Sequence, residues 1–265
     1  MIQEEVMSFR SQPSLEVLLP ELQQWFDTDL GQELLAAEKE LVERALTSLY
    51  GMHLLQISVD DRLSLVDGCQ VHHCFQLSPQ VSLGAGKHTL VGDHHDLPLQ
   101  SDVLDVVVLH HILDFARSPH QVVREAARVL RPGGHLVIIG FNPARLWGIR
   151  RKLSRKERER VPWRGNFLSH RRLQDWLALL ELTELKAWSG YYRAPFVGSV
   201  WRTRCAMLES WVQRSPARNG AFLMMLARKD VAGMTPITPA WRRQLINLPI
   251  AKPTARARGQ VSESR

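Results

Sequence analysis

Two adjacent histidines, His110 and His111, follow the apolar run Val103 to Leu109. An imidazole titrates near pH ~6.5, which suits a general base, so both are candidate catalytic groups. The plainer alternative is structural, with one ring in the core and the other orienting a loop. Asp93-His94 stands just before Leu97-Pro98. An ionised Asp only accepts hydrogen bonds and suits a ligand amino group, although it also fits a turn. Asn142 before Pro143 is either a substrate contact or a turn residue. Beyond it, Arg145, Arg150, Arg151 and Arg164 alternate with Trp147 and Trp163. Such interleaving suits an acidic or phosphorylated acceptor, or nucleic acid through phosphate contacts and stacking. A solvated surface with apolar stems laid flat explains it equally well.

Other clusters carry less. Cys69, His72, His73 and Cys74 are metal-type donors, but their spacing fits no standard zinc site and a second ligand pair is missing, so no metal is expected. Gly84-Ala85-Gly86-Lys87-His88-Thr89 has its first glycine too close, and His88 stands where a phosphate loop needs Ser or Thr. It reads as a turn. No GxGxxG follows a strand, which disfavours a nicotinamide enzyme.

The elements that must position these residues follow from periodicity. A short helix is predicted around Leu18–Phe26, within an irregular lead-in over 1–28. A stronger helix starts at Asp29, paired with Gln32 as a cap, carries Leu34, Leu41, Ala45 and Leu49 inward, and stops at Gly51. Strands are predicted at Leu54–Val59, Val71–Leu77, Thr89–Gly92, Val103–Leu109 and His135–Phe141. Ser118-Pro119 opens a helix that ends at Pro132-Gly133-Gly134. A further helix spans Ser169–Leu182, and late strands are predicted at Leu185–Tyr192 and Ala221–Arg228. Strand, helix, strand repeated implies a parallel sheet in an α/β domain, 29–237, with a basic insertion at 142–172 and a basic tail over 238–265. Ligands of such sheets bind outside the carboxyl ends of the strands, where Ser58-Val59-Asp60, Leu77-Ser78, Asp93-His94, His110-His111 and Asn142 fall.

Composition sets the outer bounds. The 265 residues are 45% hydrophobic and 23% charged, enough for a buried core without disulfide or metal. No apolar run is long enough to span a membrane, and the acidic start Met1-Ile2-Gln3-Glu4-Glu5 is unlike a signal segment. With the three cysteines read as reduced thiols, this argues for a cytoplasmic protein. Net charge is +7, unevenly placed: residues 1–100 hold 5 basic and 15 acidic side chains, and 142–172 hold 11 basic and 2 acidic. The basic segment is suited to anionic partners.

Three stretches in order carry a family resemblance: Val91-Gly92-Asp93-His94-His95-Asp96-Leu97-Pro98-Leu99, then Leu104-Asp105-Val106-Val107-Val108-Leu109-His110-His111-Ile112-Leu113, then Glu125-Ala126-Ala127-Arg128-Val129-Leu130-Arg131-Pro132-Gly133-Gly134. The chain resembles the class I S-adenosylmethionine-dependent methyltransferases, in particular their small-molecule branch. That resemblance implies a Rossmann-like seven-stranded, mostly parallel sheet with an antiparallel last strand and helices on both faces. It also implies S-adenosyl-L-methionine as cofactor. Asp93 would accept from the adenine amino group and the His94 amide would reach a ring nitrogen, while Asp105 would be structural. Further cofactor contacts are implied for Ser58, Asp60, Gln76 and Leu109, and substrate contacts are expected from Asn142 and Arg145.

The chain departs from the family pattern at two places. Ser58 and Asp60 replace the glycines of the first turn and Gln56 its acid, although glycine there lets the backbone approach a ligand closely. Gln76 stands where an acid would grip the ribose. The first functional reading is methyl transfer to a small-molecule acceptor by direct displacement, for which alignment in a dry site supplies much of the rate. The second is a noncatalytic methyltransferase-like protein that binds a partner or nucleic acid through its basic segment.

Overall fold

The computed structural model describes residues 15–79, 88–143, 161–191 and 220–230. These fall in the unit Met1–Ala232; a second unit, Gly233–Arg265, lies outside the described residues, as does most of the basic segment. In chain order the elements are α1 (Leu15–Phe26), α2 (Asp29–Leu46), β1 (Gly51–Ser58), β2 (Val71–Ser78), β3 (Thr89–Val91), β4 (Leu104–His110), α3 (Ile112–Phe115), α4 (Pro119–Val129), β5 (Leu130–Phe141), α5 (His170–Leu179), β6 (Leu182–Gly190) and β7 (Phe222–Lys229).

Period-two alternation along the strands builds two separate cores. On one face Leu54, Val106, Val108, Val137 and Met224 meet Leu22 and Phe26 of α1 and Leu34 and Val42 of α2. On the other, Leu55, Val107, Leu109, Ile138 and Met225 meet Val122 and Ala126 of α4 and Leu173 and Leu177 of α5. The sheet is thus covered by helices on both sides. All seven residues of β4 are buried, as its unbroken apolar sequence predicts for a central parallel strand.

The sheet has seven strands in the order β3-β2-β1-β4-β5-β7-β6. β1 pairs in parallel with both β2 and β4, β4 in parallel with β5, and β7 runs antiparallel to β5 and β6. Chain order reverses between β1 and β4, so the crevice above their carboxyl ends is the place for a ligand. This is the expected mostly parallel sheet with its last strand reversed.

Local differences from the sequence expectations have simple causes. α2 is capped by Thr28, whose hydroxyl oxygen accepts the Gly31 N–H at 3.2 Å, and not by Asp29, its first helical residue. Gly51 does not end that helix. It opens β1, where a Cβ would come 2.4 Å from the Asp105 Cβ. Asp105 itself accepts the N–H groups of Met52 and His53 at 2.7 and 2.9 Å, so it ties β4 to the start of β1. Ser118 makes no side-chain cap bond to α4, although Pro119 starts the helix. α4 ends at Val129 and β5 begins at once, so Pro132-Gly133-Gly134 lies within the strand. No described helix is long and apolar enough to cross a membrane.

Candidate cofactor site and buried histidine network

A cavity of about 320 Å³ lies at the carboxyl ends of the strands, a size typical of small-molecule sites. Ser58, Val59 and Asp61 line it from the end of β1, and Gly92, Asp93, His94 and His95 from the end of β3. Leu15, Glu16 and Leu19 of α1 contribute to the same wall, together with Phe115, Ala116 and Arg117. Three acids and one arginine therefore face a largely apolar space, which suits a ligand with cationic and donor groups.

Asp93 is held in a turn: its Oδ1 accepts the His95 N–H at 2.9 Å and lies 3.1 Å from His95 Nδ1. Burial acts to raise its pKa, but the His95 amide and the two neighbouring imidazoles outweigh this and draw the carboxyl below its ordinary value. Burial, reinforced by His95, pushes His94 down to about 4, so its ring is neutral at neutral pH. The Nε2 atoms of His94 and His95 are buried without a hydrogen-bond partner. Gly92 is required for the approach to this turn, since a Cβ there would lie 2.7 Å from the Pro98 ring.

Of the other expected cofactor residues, Ser58 lines the cavity, and Gln76, Asp60 and Leu109 do not. Gln76 does not reach the cavity: its Nε2 donates to the Leu63 carbonyl at 2.6 Å. Gln56 donates to the same oxygen at 2.5 Å and accepts the Leu65 N–H at 3.0 Å. The two amides thus pin the β1–β2 connection. Asp60 is fully buried and accepts from the Arg62 side chain at 2.8 to 3.1 Å, which leaves Asp61, one residue on, as the carboxylate at the cavity. Ser78 donates to Asp61 Oδ2 at 2.7 Å. Leu109 lies in the core against α4 and α5 and is not a cavity residue.

His110 and His111 are both fully buried and neither lines the cavity. The expectation that they face a ligand is corrected on that point, because both rings turn toward Glu38 of α2. His110 Nε2 lies 3.1 Å from Glu38 Oε2, and His111 Nε2 lies 2.8 Å from Glu38 Oε1. The other nitrogen of His111 lies 3.0 Å from Asp114 Oδ2, which also accepts the Phe141 N–H at 3.0 Å. His110 Nδ1 lies 2.8 Å from the hydroxyl of Ser58, so this ring reaches the cavity through one serine.

Charges in the network follow from its contacts. Burial alone would raise Glu38, but the His111 charge and hydrogen bonds from both imidazoles hold it at about 2. Burial opposes protonation of His111, yet the Glu38 charge and the Asp114 hydrogen bond raise it to about 9. Burial, aided by the His111 cation, lowers His110 against the pull of Glu38. The set is therefore anionic Glu38, cationic His111 and neutral His110. Sequence reasoning missed Glu38 and Asp114. A signal for Glu38 existed, since it falls on the buried stripe of α2 between Leu34 and Val42 at spacings of four.

Asn142 is buried and donates to the Gly220 carbonyl at 3.1 Å, a strand-end contact and not a cavity one. Arg145, Trp147, Arg150 and Arg151 lie outside the described residues. Trp163 is 4% exposed and packs in the α1–α2 core, so it is not offered for stacking on an external ligand. Cys69 and Cys74 belong to neither of the two metal-type donor clusters found among the described residues, Glu38–His110–His111 and Asp93–His94–His95.

Residues 70–138 match the family model for a methyltransferase domain. The uncharacterized protein YafS of Escherichia coli (strain K12) is 34% identical over 164 residues, 62% of this chain and 66% of that one. A protein of Methanocaldococcus jannaschii is 26% identical over 38% of this chain and 49% of its own. The chain thus spans less than two thirds of the length of these curated relatives. Among solved structures, a S-adenosylmethionine-dependent methyltransferase of Thermotoga maritima, described as a possible histamine N-methyltransferase, superposes with a TM-score of 0.62 at 19% identity, covering 82% of this chain and 98% of that one. A complex between the Haloferax volcanii Trm112 methyltransferase activator and a methyltransferase contains a chain with a TM-score of 0.57 at 19% identity, covering 82% and 99%. At such identities the likeness speaks for the fold, and the domain match covers about a quarter of the chain. The chain thus shares the fold of S-adenosylmethionine-dependent methyltransferases and carries, over residues 70–138, a match to a methyltransferase domain.

Proposed function

We propose that the protein binds S-adenosylmethionine in the cavity above β1–β4 and transfers its methyl group to a small-molecule acceptor. The observation that carries this reading is the set of cavity groups: carboxylates Asp61 and Asp93, both lining a largely apolar space of about 320 Å³. Asp93 is placed to accept from an exocyclic amino group, and the turn after it presents His94. Asp61, held by Ser78, is an acceptor for ribose hydroxyls and takes the part that Gln76 cannot. Leu15 and Leu19 of α1, with Phe115, supply apolar walls that exclude water.

When bound, the cofactor supplies a methyl group on a good sulfonium leaving group. The chain's own task is alignment, with the acidic cavity favouring a positively charged ligand. Neither histidine of the buried network contacts a reacting atom in this arrangement; His110 acts on the cavity only through Ser58.

Calorimetric titration with S-adenosylmethionine and S-adenosylhomocysteine tests the reading. Binding is expected to weaken at least tenfold in a folded Asp93→Ala variant, in line with loss of a hydrogen bond to an ionised group. Absence of binding to the wild type, or unchanged affinity in the variant, overturns it.

A further inference from the structure

The polarity of one hydrogen-bond chain decides what Ser58 can offer a ligand. Both oxygens of Glu38 are engaged, Oε1 with His111 and Oε2 with His110 Nε2. A carboxylate only accepts, so His110 Nε2 carries a hydrogen. With that hydrogen in place, neutral His110 has a bare lone pair at Nδ1, 2.8 Å from the Ser58 oxygen. Only the serine can supply the proton for that contact. The Ser58 hydroxyl hydrogen is thereby committed inward. One lone pair of the oxygen takes the Asp60 N–H at 3.4 Å, and one remains for the cavity that Ser58 lines. A simple exposed serine rotates to donate or accept as needed. This one is fixed as an acceptor.

Place in the sheet says which part of a ligand meets it. Asp93 follows the edge strand β3, and Ser58 ends β1, two strands inward. Adjacent strands are ~4.8 Å apart, which puts the two positions ~10 Å apart along the crevice. An adenosyl ligand with its base at Asp93 therefore brings its amino-acid end to Ser58. That end carries an ammonium, which donates, and a carboxylate, which only accepts.

We propose that Ser58, oriented by His110 and Glu38, reads the ammonium of the cofactor's amino-acid end and discriminates against ligands that present only an acceptor there. The inference rests on the cofactor reading above and replaces the backbone approach of a glycine turn with a side chain of fixed polarity. Ser58 touches the ligand. His110 and Glu38 are positioning residues, acting through the serine.

The test titrates S-adenosylhomocysteine and 5′-methylthioadenosine, which lacks the amino-acid end. In Ser58→Ala, affinity for S-adenosylhomocysteine is expected to fall about tenfold, with that for methylthioadenosine unchanged. Glu38→Gln gives a second handle. Its amide can donate to His110 Nε2, which moves the ring hydrogen to Nδ1 and turns the serine hydrogen toward the cavity. The same selective loss is then expected with Ser58 still present. Nitrogen-15 ring shifts should show His110 hydrogenated at Nε2 in the wild type and at Nδ1 in Glu38→Gln. Equal losses for both ligands in Ser58→Ala, no loss for either, or a wild-type His110 hydrogenated at Nδ1 would each overturn the proposal. A wild type that binds neither ligand overturns the cofactor reading instead.

Discussion

Glu38 Oε1 lies 2.8 Å from His111 Nε2 with both side chains fully buried, across 73 positions of sequence. Asp114 closes the other side of the ring at 3.0 Å. Both nitrogens of His111 thus face groups that only accept, and the ring is an imidazolium held between two carboxylates. The contact ties α2 to the point where β4 ends. It also requires an unusual backbone: His111 has a φ of 52°, in the left-handed region, where its amide donates to the Ile139 carbonyl.

The network gives stability a dependence on pH whose sign can be worked out. His111 is raised to about 9, so its contribution is complete below the ordinary histidine value of ~6.5 and is lost as pH climbs toward about 9. His110 is lowered and His94 is lowered to about 4, so protonation of the unfolded chain below ~6.5 draws the protein toward unfolding. Glu38, held at about 2, contributes above ~4.5 and loses its effect as pH falls toward about 2. Thermal unfolding followed from pH 4 to pH 10 should therefore peak near pH ~6.5. His111→Asn, which tolerates the left-handed backbone, should flatten the alkaline limb. An unchanged alkaline limb would show that His111 is neutral in the folded protein.

Removal of one partner from this network should be severe. Glu38→Ala leaves the His111 cation with one carboxylate and two buried ring nitrogens without an acceptor. Breaking a buried pair in this way costs ~3–5 kcal/mol. Urea denaturation at pH 7 should show a drop of that order, with the m-value preserved if the native core remains. A loss under ~1 kcal/mol would mean that the network contributes little and that the site collapses to repair it.

The fold was legible because the central strands are nearly continuous runs of Val, Leu and Ile, and because α4 and α5 carry clear inward stripes. The site was less so, for physical reasons. Asp93 and His94 were found from the resemblance and the strand-end rule, and they line the cavity. Gln76 occupies the strand position that the pattern indicates, yet its side chain turns to the Leu63 carbonyl, a choice made by the β1–β2 connection, which carries no recognisable motif. Asp60 and Asp61 are adjacent acids, and tertiary contacts separate them: Asp60 is held inward by Arg62 and Gln23, and Asp61 is held at the cavity by Ser78. Glu38 was hidden because a glutamate on an amphipathic helix is ordinarily solvated. Its place on the apolar stripe was the one clue.

Asp61 and Gln76 separate ligand binding from loop support. Asp61→Asn removes a cavity charge while Ser78 can still donate to the amide oxygen. S-adenosylhomocysteine affinity should fall several-fold or more, with little change in unfolding temperature. Gln76→Ala removes one of two donors from the Leu63 carbonyl, and Gln56 continues to serve it. That variant should lose ~1 kcal/mol of stability and keep most of its affinity. The reverse pattern, with binding lost in Gln76→Ala and kept in Asp61→Asn, would return the ribose contact to the strand.

Gly92 tests whether the turn itself is part of the recognition. Its N–H donates to the Ser78 carbonyl at 3.1 Å, which joins the end of β3 to the end of β2 directly beneath Asp93. A methyl group at this position would lie 2.7 and 2.9 Å from two atoms of the Pro98 ring, and a ring cannot swing aside as a long side chain can. In Gly92→Ala the Asp93–His95 turn must therefore move away from Leu97-Pro98. Leu97 is anchored by its N–H to Glu125 at 3.2 Å and by its carbonyl to Arg128 at 3.0 Å, so the displacement falls on the Asp93 side. Affinity for S-adenosylhomocysteine should drop as far as in Asp93→Ala, although no ligand-facing side chain has changed. Full affinity in a folded Gly92→Ala variant would show that the turn adapts without loss, and that Asp93 needs no such exact seat.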